Sequence, residues 1–170
     1  MRRRPLLALP LIALLLPASA PGDRAPRIRI ASIEQLPRPL PAPYDSSADA
    51  NAQIDAALGR ARASGKPLLI DFGANWCADC RVLAGVLELP EMRRYIARNF
   101  ELVQVDIGRF DRNLDIPKRF SRNPMNAVPA VFVVDGKTGK LRNAGEELAL
   151  GDARIMRPQA IADWLATWTR

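Results

Sequence analysis

Cysteine is the residue that most constrains this chain. Two occur in 170 residues, Cys77 and Cys80, separated only by Ala78 and Asp79, and histidine is absent. Without histidine there is no Cys-His nucleophile pair, no Ser-His-Asp triad and no imidazole metal ligand. Two thiols alone cannot complete a four-ligand structural zinc site. Thiol–disulfide exchange therefore heads the chemistry open to a C-x-x-C pair. Buried structural thiols and a weak metal site are the alternatives. The setting favours the first. The apolar run from Pro67 to Gly73 reads as a short buried strand, and Val82 to Leu87 as the start of a helix. A C-x-x-C between strand and helix sits where the helix dipole and free backbone N–H groups stabilise a thiolate. Helical neighbours at i and i+3 share a face, which is why two residues separate the sulfurs. Cys77, in the first turn, is the candidate nucleophile. Cys80, one turn on and shielded by the helix, is the candidate resolving thiol.

The segment Asp71-Phe72-Gly73-Ala74-Asn75-Trp76-Cys77-Ala78-Asp79-Cys80-Arg81 resembles the strand-to-active-site segment of the thioredoxin superfamily. The likeness includes the acidic residue six positions before the first cysteine and the tryptophan beside it. It implies an α/β, thioredoxin-like fold over roughly residues 50–170, with a central mixed β-sheet flanked by helices on both faces. Within the superfamily the chain is similar to exported thioredoxin-like proteins with a WCxDC site. Phe110 to Asp115 and Gly145 to Leu148 add weaker support.

The resemblance also implies roles. Asp71 would exchange protons with Cys80. Pro129 would follow a cis bond facing the C-x-x-C, and the backbone of Val128 would pair with a bound substrate strand. Read without the resemblance, Asp71 is either a buried carboxylate with a raised pKa or a strand-end carboxylate in water. Pro129 is a strand-opening proline of either isomer. Trp76 either flanks the site and limits water access or is ordinary packing. Arg81 either favours the Cys77 thiolate or is a solvated helix charge.

Along the chain, Arg2-Arg3-Arg4, the apolar run Leu6 to Leu16 and Ala18-Ser19-Ala20 read as a signal peptide over residues 1–20, cleaved after Ala20. An uncleaved anchor is the alternative. Export implies a bacterial periplasm or the cell exterior, and a periplasmic location is the expectation. Residues 21–48 read as a Pro-rich linker, in which Arg27-Ile28-Arg29-Ile30 forms either an edge strand or part of a disordered tether. A thioredoxin-like domain then occupies residues 49–170. Ile54, Ala57, Leu58 and Ala61 have helical spacing, with Asp49 as N-cap and Gly65 as the C′ glycine. The helix from Cys77 is kinked or restarted at Pro90 and continues to about Arg98. Strands are expected at Glu101 to Ile107 and Val128 to Val134, with a short return strand at Lys140 to Arg142. One or two helical turns are expected around Pro117, and a final helix from Pro158 carries Ile161, Trp164, Leu165 and Trp168. The order helix, β, α, β, α, β, β, α fits a mixed sheet covered on both faces.

The net charge is +7, of which Arg2, Arg3 and Arg4 supply three. The remainder is mildly basic and lacks a Lys/Arg stripe interleaved with aromatics, so no nucleic-acid partner is expected. Two departures from thioredoxin bear on function. Asp79, an anion close to Cys77, opposes thiolate formation and points to the reducing half of the family's range, below about −180 mV. Gln104 stands nearest the place of the lysine that thioredoxin puts beside its buried acid. The expected function is an exported thiol–disulfide oxidoreductase acting on protein thiols and disulfides, as a reductant fed by a membrane dithiol donor, with no cofactor. The alternatives are a non-enzymatic binding module built on the Val128–Pro129 groove, and a metal carrier using the C-x-x-C.

Overall fold

The computed structural model describes residues 23–169. The segment read as a signal peptide lies outside the described residues. Three strands form the sheet: β1 (Leu68–Gly73), β2 (Glu101–Asp106) and β3 (Ala130–Val134), in the order β2-β1-β3. β1 runs parallel to β2 and antiparallel to β3, with Asp71 opposite Gln104 on one side and Val131 on the other. All six residues of β1 are buried, as a central strand covered on both faces requires.

Alternation along the strands sorts the core into two layers. Ile70, Phe72, Phe132 and Val105 pack with Ile54, Ala57 and Ala61 of α1 (Ala50–Ser64). Leu69, Val131 and Val133 pack with α2 (Ala78–Leu87), α3 (Pro90–Asn99) and the last α-helix, α5 (Pro158–Ala166). The one-turn helix α4 (Asp115–Lys118) lies between them in sequence and buries Ile116 and Pro117. The fold is the thioredoxin-like α/β architecture that the motif implied.

The ends of α1 follow from its capping residues. The Asp49 carboxylate accepts the Ala52 N–H at 2.9 Å, and Gly65 takes a left-handed φ of 75° while donating to Ala61 O. Pro90 restarts rather than kinks the next helix. α2 ends at Leu87, and Pro90 occupies the first turn of α3, where its missing N–H costs nothing.

Two expectations are corrected. The return strand at Lys140 to Arg142 is reduced to one bridge, Val134 to Leu141. The fully buried side chain of Asn143 takes the place of a continuing strand. It accepts from Val133 N and donates to Val131 O, each at 2.8 Å. The edge strand at Arg27–Ile30 does not form, and the stretch read as a linker or tether packs on the domain. Ile28, Leu36 and Tyr44 are buried. Its backbone finds partners in side chains instead of a neighbouring strand: Ile28 N donates to Gln159 Oε1 at 2.9 Å, and Arg29 N to Glu91 Oε1 at 3.0 Å.

Candidate active site

The dithiol sits where β1 hands over to α2. Cys77 is the N-cap of α2, and its Sγ accepts the Cys80 N–H at 3.2 Å. The two cysteines are joined in a disulfide, with Cα atoms 5.3 Å apart. Cys77 retains 6% exposure and Cys80 none. The helix terminus supplies a positive electrostatic end and unpaired N–H groups to Cys77.

Across from Cys77, the carbonyl oxygen of Val128 lies 3.7 Å from its Sγ, and the Val128–Pro129 bond is cis. Trp76 is half exposed (51%). Its Nε1 donates to Gly108 O at 2.7 Å, and the Arg109 guanidinium lies over the ring, 5.6 Å from its centroid. Trp76 therefore belongs neither to the core nor to free surface. It is pinned to the loop after β2, beside an open recess of about 390 Å³ bordered by Tyr44, Asn75 and Arg109.

Asp71 is completely buried in the centre of β1. The water-exposed strand-end reading is excluded. The Tyr44 hydroxyl donates to its Oδ2 at 2.9 Å and Gln104 Nε2 to the same oxygen at 3.1 Å. Oδ1 is buried and accepts no hydrogen bond from the described residues. Burial pushes the carboxyl up to about 6, and the Gln104 and Tyr44 donors hold it from rising further. Burial and the adjacent Asp71 charge raise Tyr44 well above the ordinary phenol range.

The remaining residues near the motif have structural partners. Arg81 points its guanidinium at the N-terminal segment, donating to Leu40 O at 2.6 Å and Pro41 O at 3.0 Å. It is neither a solvated charge nor a partner of the Cys77 sulfur. Asp79 accepts from the backbone and side chain of Arg154, whose positive charge offsets its own. Among the described residues no group of three or more Cys, Asp or Glu side chains converges to hold a metal ion.

Sequence reasoning missed Tyr44 and Arg154. Tyr44 packs with Cys77 and Cys80 in one buried cluster. The signal was its being the one aromatic residue between Pro21 and Ala48. Arg154 lies 75 residues from its partner, and nothing local marks it.

A family model described as thioredoxin-like matches residues 49–136. A solved structure, the disulphide isomerase from Xylella fastidiosa Temecula1, superposes with a TM-score of 0.69 at 41% identity, covering 77% of this chain and 99% of that one. The thiol:disulfide interchange protein DsbD of Ralstonia nicotianae is 31% identical over 103 residues, 58% of this chain and 16% of that protein. DsbD 1 of Pseudomonas aeruginosa is 56% identical over 32 residues, 19% of this chain and 5% of that protein. This chain thus spans a small part of the length of either interchange protein.

Proposed function

Because this chain belongs to the thioredoxin-like family and is a thiol–disulfide oxidoreductase, we propose that it acts outside the cytosol as a reductant of protein disulfides. The observation that carries the reading is the buried, asymmetric Cys77–Cys80 pair at the N-terminus of α2, with the Val128 carbonyl beside Cys77.

In the reduced protein the Cys77 thiolate attacks a substrate disulfide. One substrate sulfur leaves as a thiolate, and Cys77 is joined to the other in a mixed disulfide. Cys80 then gives its proton to Asp71, and its thiolate attacks Cys77 Sγ. The Cys77–Cys80 bond forms, the bond from Cys77 to substrate breaks, and the second substrate sulfur leaves as a thiolate. Two electrons have passed from the cysteine pair to the substrate. Asp71 suits the proton step because it is buried, unpaired at Oδ1 and held near 6. Val128 and Pro129 form the backbone platform on which an extended substrate segment is paired, and Trp76 flanks it.

Asp79 in the first turn of α2, though tempered by its ion pair with Arg154, supports the reducing direction, since an anion near Cys77 opposes the stabilised thiolate on which strong oxidants depend. A reductant outside the cytosol needs electrons, which implies a membrane dithiol donor. The likeness to thiol:disulfide interchange proteins supports a place in such a relay. The basic, apolar and small-residue pattern of residues 1–20 supports export to a periplasm with cleavage after Ala20, checked by sequencing the N-terminus of the exported protein.

The deciding measurement is the Cys77/Cys80 reduction potential against glutathione. A value near thioredoxin's, about −270 mV, supports the reductant. A value above about −180 mV overturns it. A second reading, disulfide isomerase, is favoured by the 41% identity to the Xylella protein. Recovery of a scrambled disulfide protein, lost in Cys77→Ser but retained in Cys80→Ser, would select it.

A further inference from the structure

The N-terminal segment does more than cover the domain. It reaches the site at Tyr44, which is held in place by hydrogen bonds to the segment from Asn75 and Arg81 and by the space at Gly73. The Tyr44 backbone N–H donates to Asn75 Oδ1 at 3.2 Å, and Asn75 Nδ2 donates back to Tyr44 O at 2.8 Å. Asn75 lies two residues before Cys77, so the loop that carries the dithiol also holds the segment. Upstream, Arg81 of α2 clamps Leu40 and Pro41. At the ring, Gly73 leaves the space: a Cβ there would lie inside the Tyr44 side chain. The result is a phenol only 2% exposed that packs against both cysteines and hydrogen-bonds Asp71.

We propose that Tyr44 is a positioning residue of the dithiol site: its hydroxyl holds the Asp71 carboxylate by Oδ2 and leaves Oδ1 free for the Cys80 proton, which makes the segment from Leu40 to Tyr44 part of the active site. This rests on the reading of Asp71 as proton acceptor given above. The alternative, that Tyr44 only fills volume, needs the ring but not the hydroxyl.

The two roles differ in what the hydroxyl does to Asp71. Around Asp71 the N-terminal segment presents Tyr44, β2 presents Gln104 and β3 presents Val131, while Cys77 and Cys80 at the start of α2 pack on the Tyr44 ring. The titratable groups there are the phenol and, once the disulfide is reduced, the two thiols. The causes that set Asp71 are burial, Gln104 and Tyr44, with no charged side chain among them. The hydroxyl is thus one of two donors that favour the carboxylate over the acid.

The experiment measures the pH dependence of mixed-disulfide resolution in the full chain, together with the ¹³C carboxyl titration of Asp71. The variants are Tyr44→Phe and Asp71→Asn. In the oxidised wild type the Asp71 carboxyl should titrate near 6, and the wild-type resolution rate should show an inflection set by the same carboxyl. Asp71→Asn should abolish it, and Tyr44→Phe, which keeps the ring, should move it up by about one pH unit. An inflection unmoved in Tyr44→Phe but lost in Asp71→Asn overturns the role of Tyr44 alone. A wild-type rate with no inflection, or one that survives Asp71→Asn, overturns the Asp71 reading and this inference with it. A measurement on the wild type needs no variant to fold: the Tyr44 ¹³Cζ resonance should follow the Asp71 midpoint near 6, far below a phenol's own value of about 10. A Tyr44 signal that stays flat through that range overturns the proposal.

Discussion

The backbone N–H and the guanidinium Nε of Arg154 both donate to the carboxylate of Asp79, at 2.9 and 3.0 Å. The pair ties the first turn of α2 to the 3₁₀ turn Ala153–Ile155, and it places a positive charge against the anion nearest Cys77 in sequence. Arg154 therefore tempers the effect of Asp79 on the thiolate. Asp79→Asn should lower the Cys77 pKa by roughly half a unit and make the pair more oxidising, because a screened repulsion of that order is removed. Arg154→Ala should act in the opposite direction and by less, since the arginine side chain is 60% exposed. Thiolate absorbance followed against pH in the reduced variants reads both shifts. The account fails if the two substitutions shift the pKa the same way.

Asp71 makes stability depend on pH with an unusual sign for a carboxylate. Its pKa is raised from 3.8 to about 6 in the folded protein. The native state therefore holds the proton more tightly than the unfolded chain. Stability from this group is fully present below the unfolded pKa and is lost as pH rises through 6. At neutral pH the ionised, buried group costs roughly 3 kcal/mol. Asp71→Asn should thus be more stable than wild type by up to that amount at about pH 7.5, with the difference vanishing near pH 3.5. Urea unfolding at the two pH values measures it. A variant less stable at the higher pH would show that the carboxylate is better solvated than its burial indicates.

Much of this site could be read from local pattern. Cys77, Cys80 and Asp71 lie in one continuous segment, and strand and helix periodicity around them dictates which side chains turn inward. Gln104 came into view only through the resemblance, as the residue nearest the place of thioredoxin's lysine, and the strand register sets it opposite Asp71. The residues that escaped lie where pattern carries no signal. Tyr44, Leu36 and Ile28 are single apolar anchors spaced among prolines, and an irregular segment has no period to betray a buried face. Arg81 looked like a helix surface charge because its acceptors are backbone carbonyls, which every residue has. Asn143 replaced a strand by using a side-chain amide as a peptide mimic, which composition cannot distinguish from a turn asparagine.

Gly73 ends β1, and its lack of a side chain is what admits the Tyr44 ring. Gly73→Ala would force its methyl group into the phenol, so either the ring leaves its slot or the strand end shifts. Overpacking of this kind costs about 1–3 kcal/mol. The loss should be accompanied by faster amide exchange in residues 40–46 and by a raised Asp71 midpoint as the phenol donor departs. If Gly73→Ala is destabilised while the segment stays protected and the midpoint stays fixed, the ring has not moved and the strain is confined to β1.

Arg81 tests whether the segment is held by the α2 helix or only by its apolar anchors. Its two charge-assisted hydrogen bonds reach Leu40 O and Pro41 O, carbonyls that no strand or helix satisfies. Bonds of this type are worth about 1.5–3 kcal/mol in a part-buried setting. Arg81→Ala should therefore release the stretch around Leu40 without unfolding the domain, because the core of α2 is carried by Leu83, Val86 and Leu87 on another face. Limited proteolysis should cut residues 36–43 several-fold faster, while the global unfolding midpoint falls modestly. Arg81→Lys keeps the charge but not the forked geometry and should restore only part of the protection. Equal cleavage rates in Arg81→Ala and wild type would show that the buried Leu36 and Tyr44, with the Asn75 hydrogen bonds, hold the segment without Arg81.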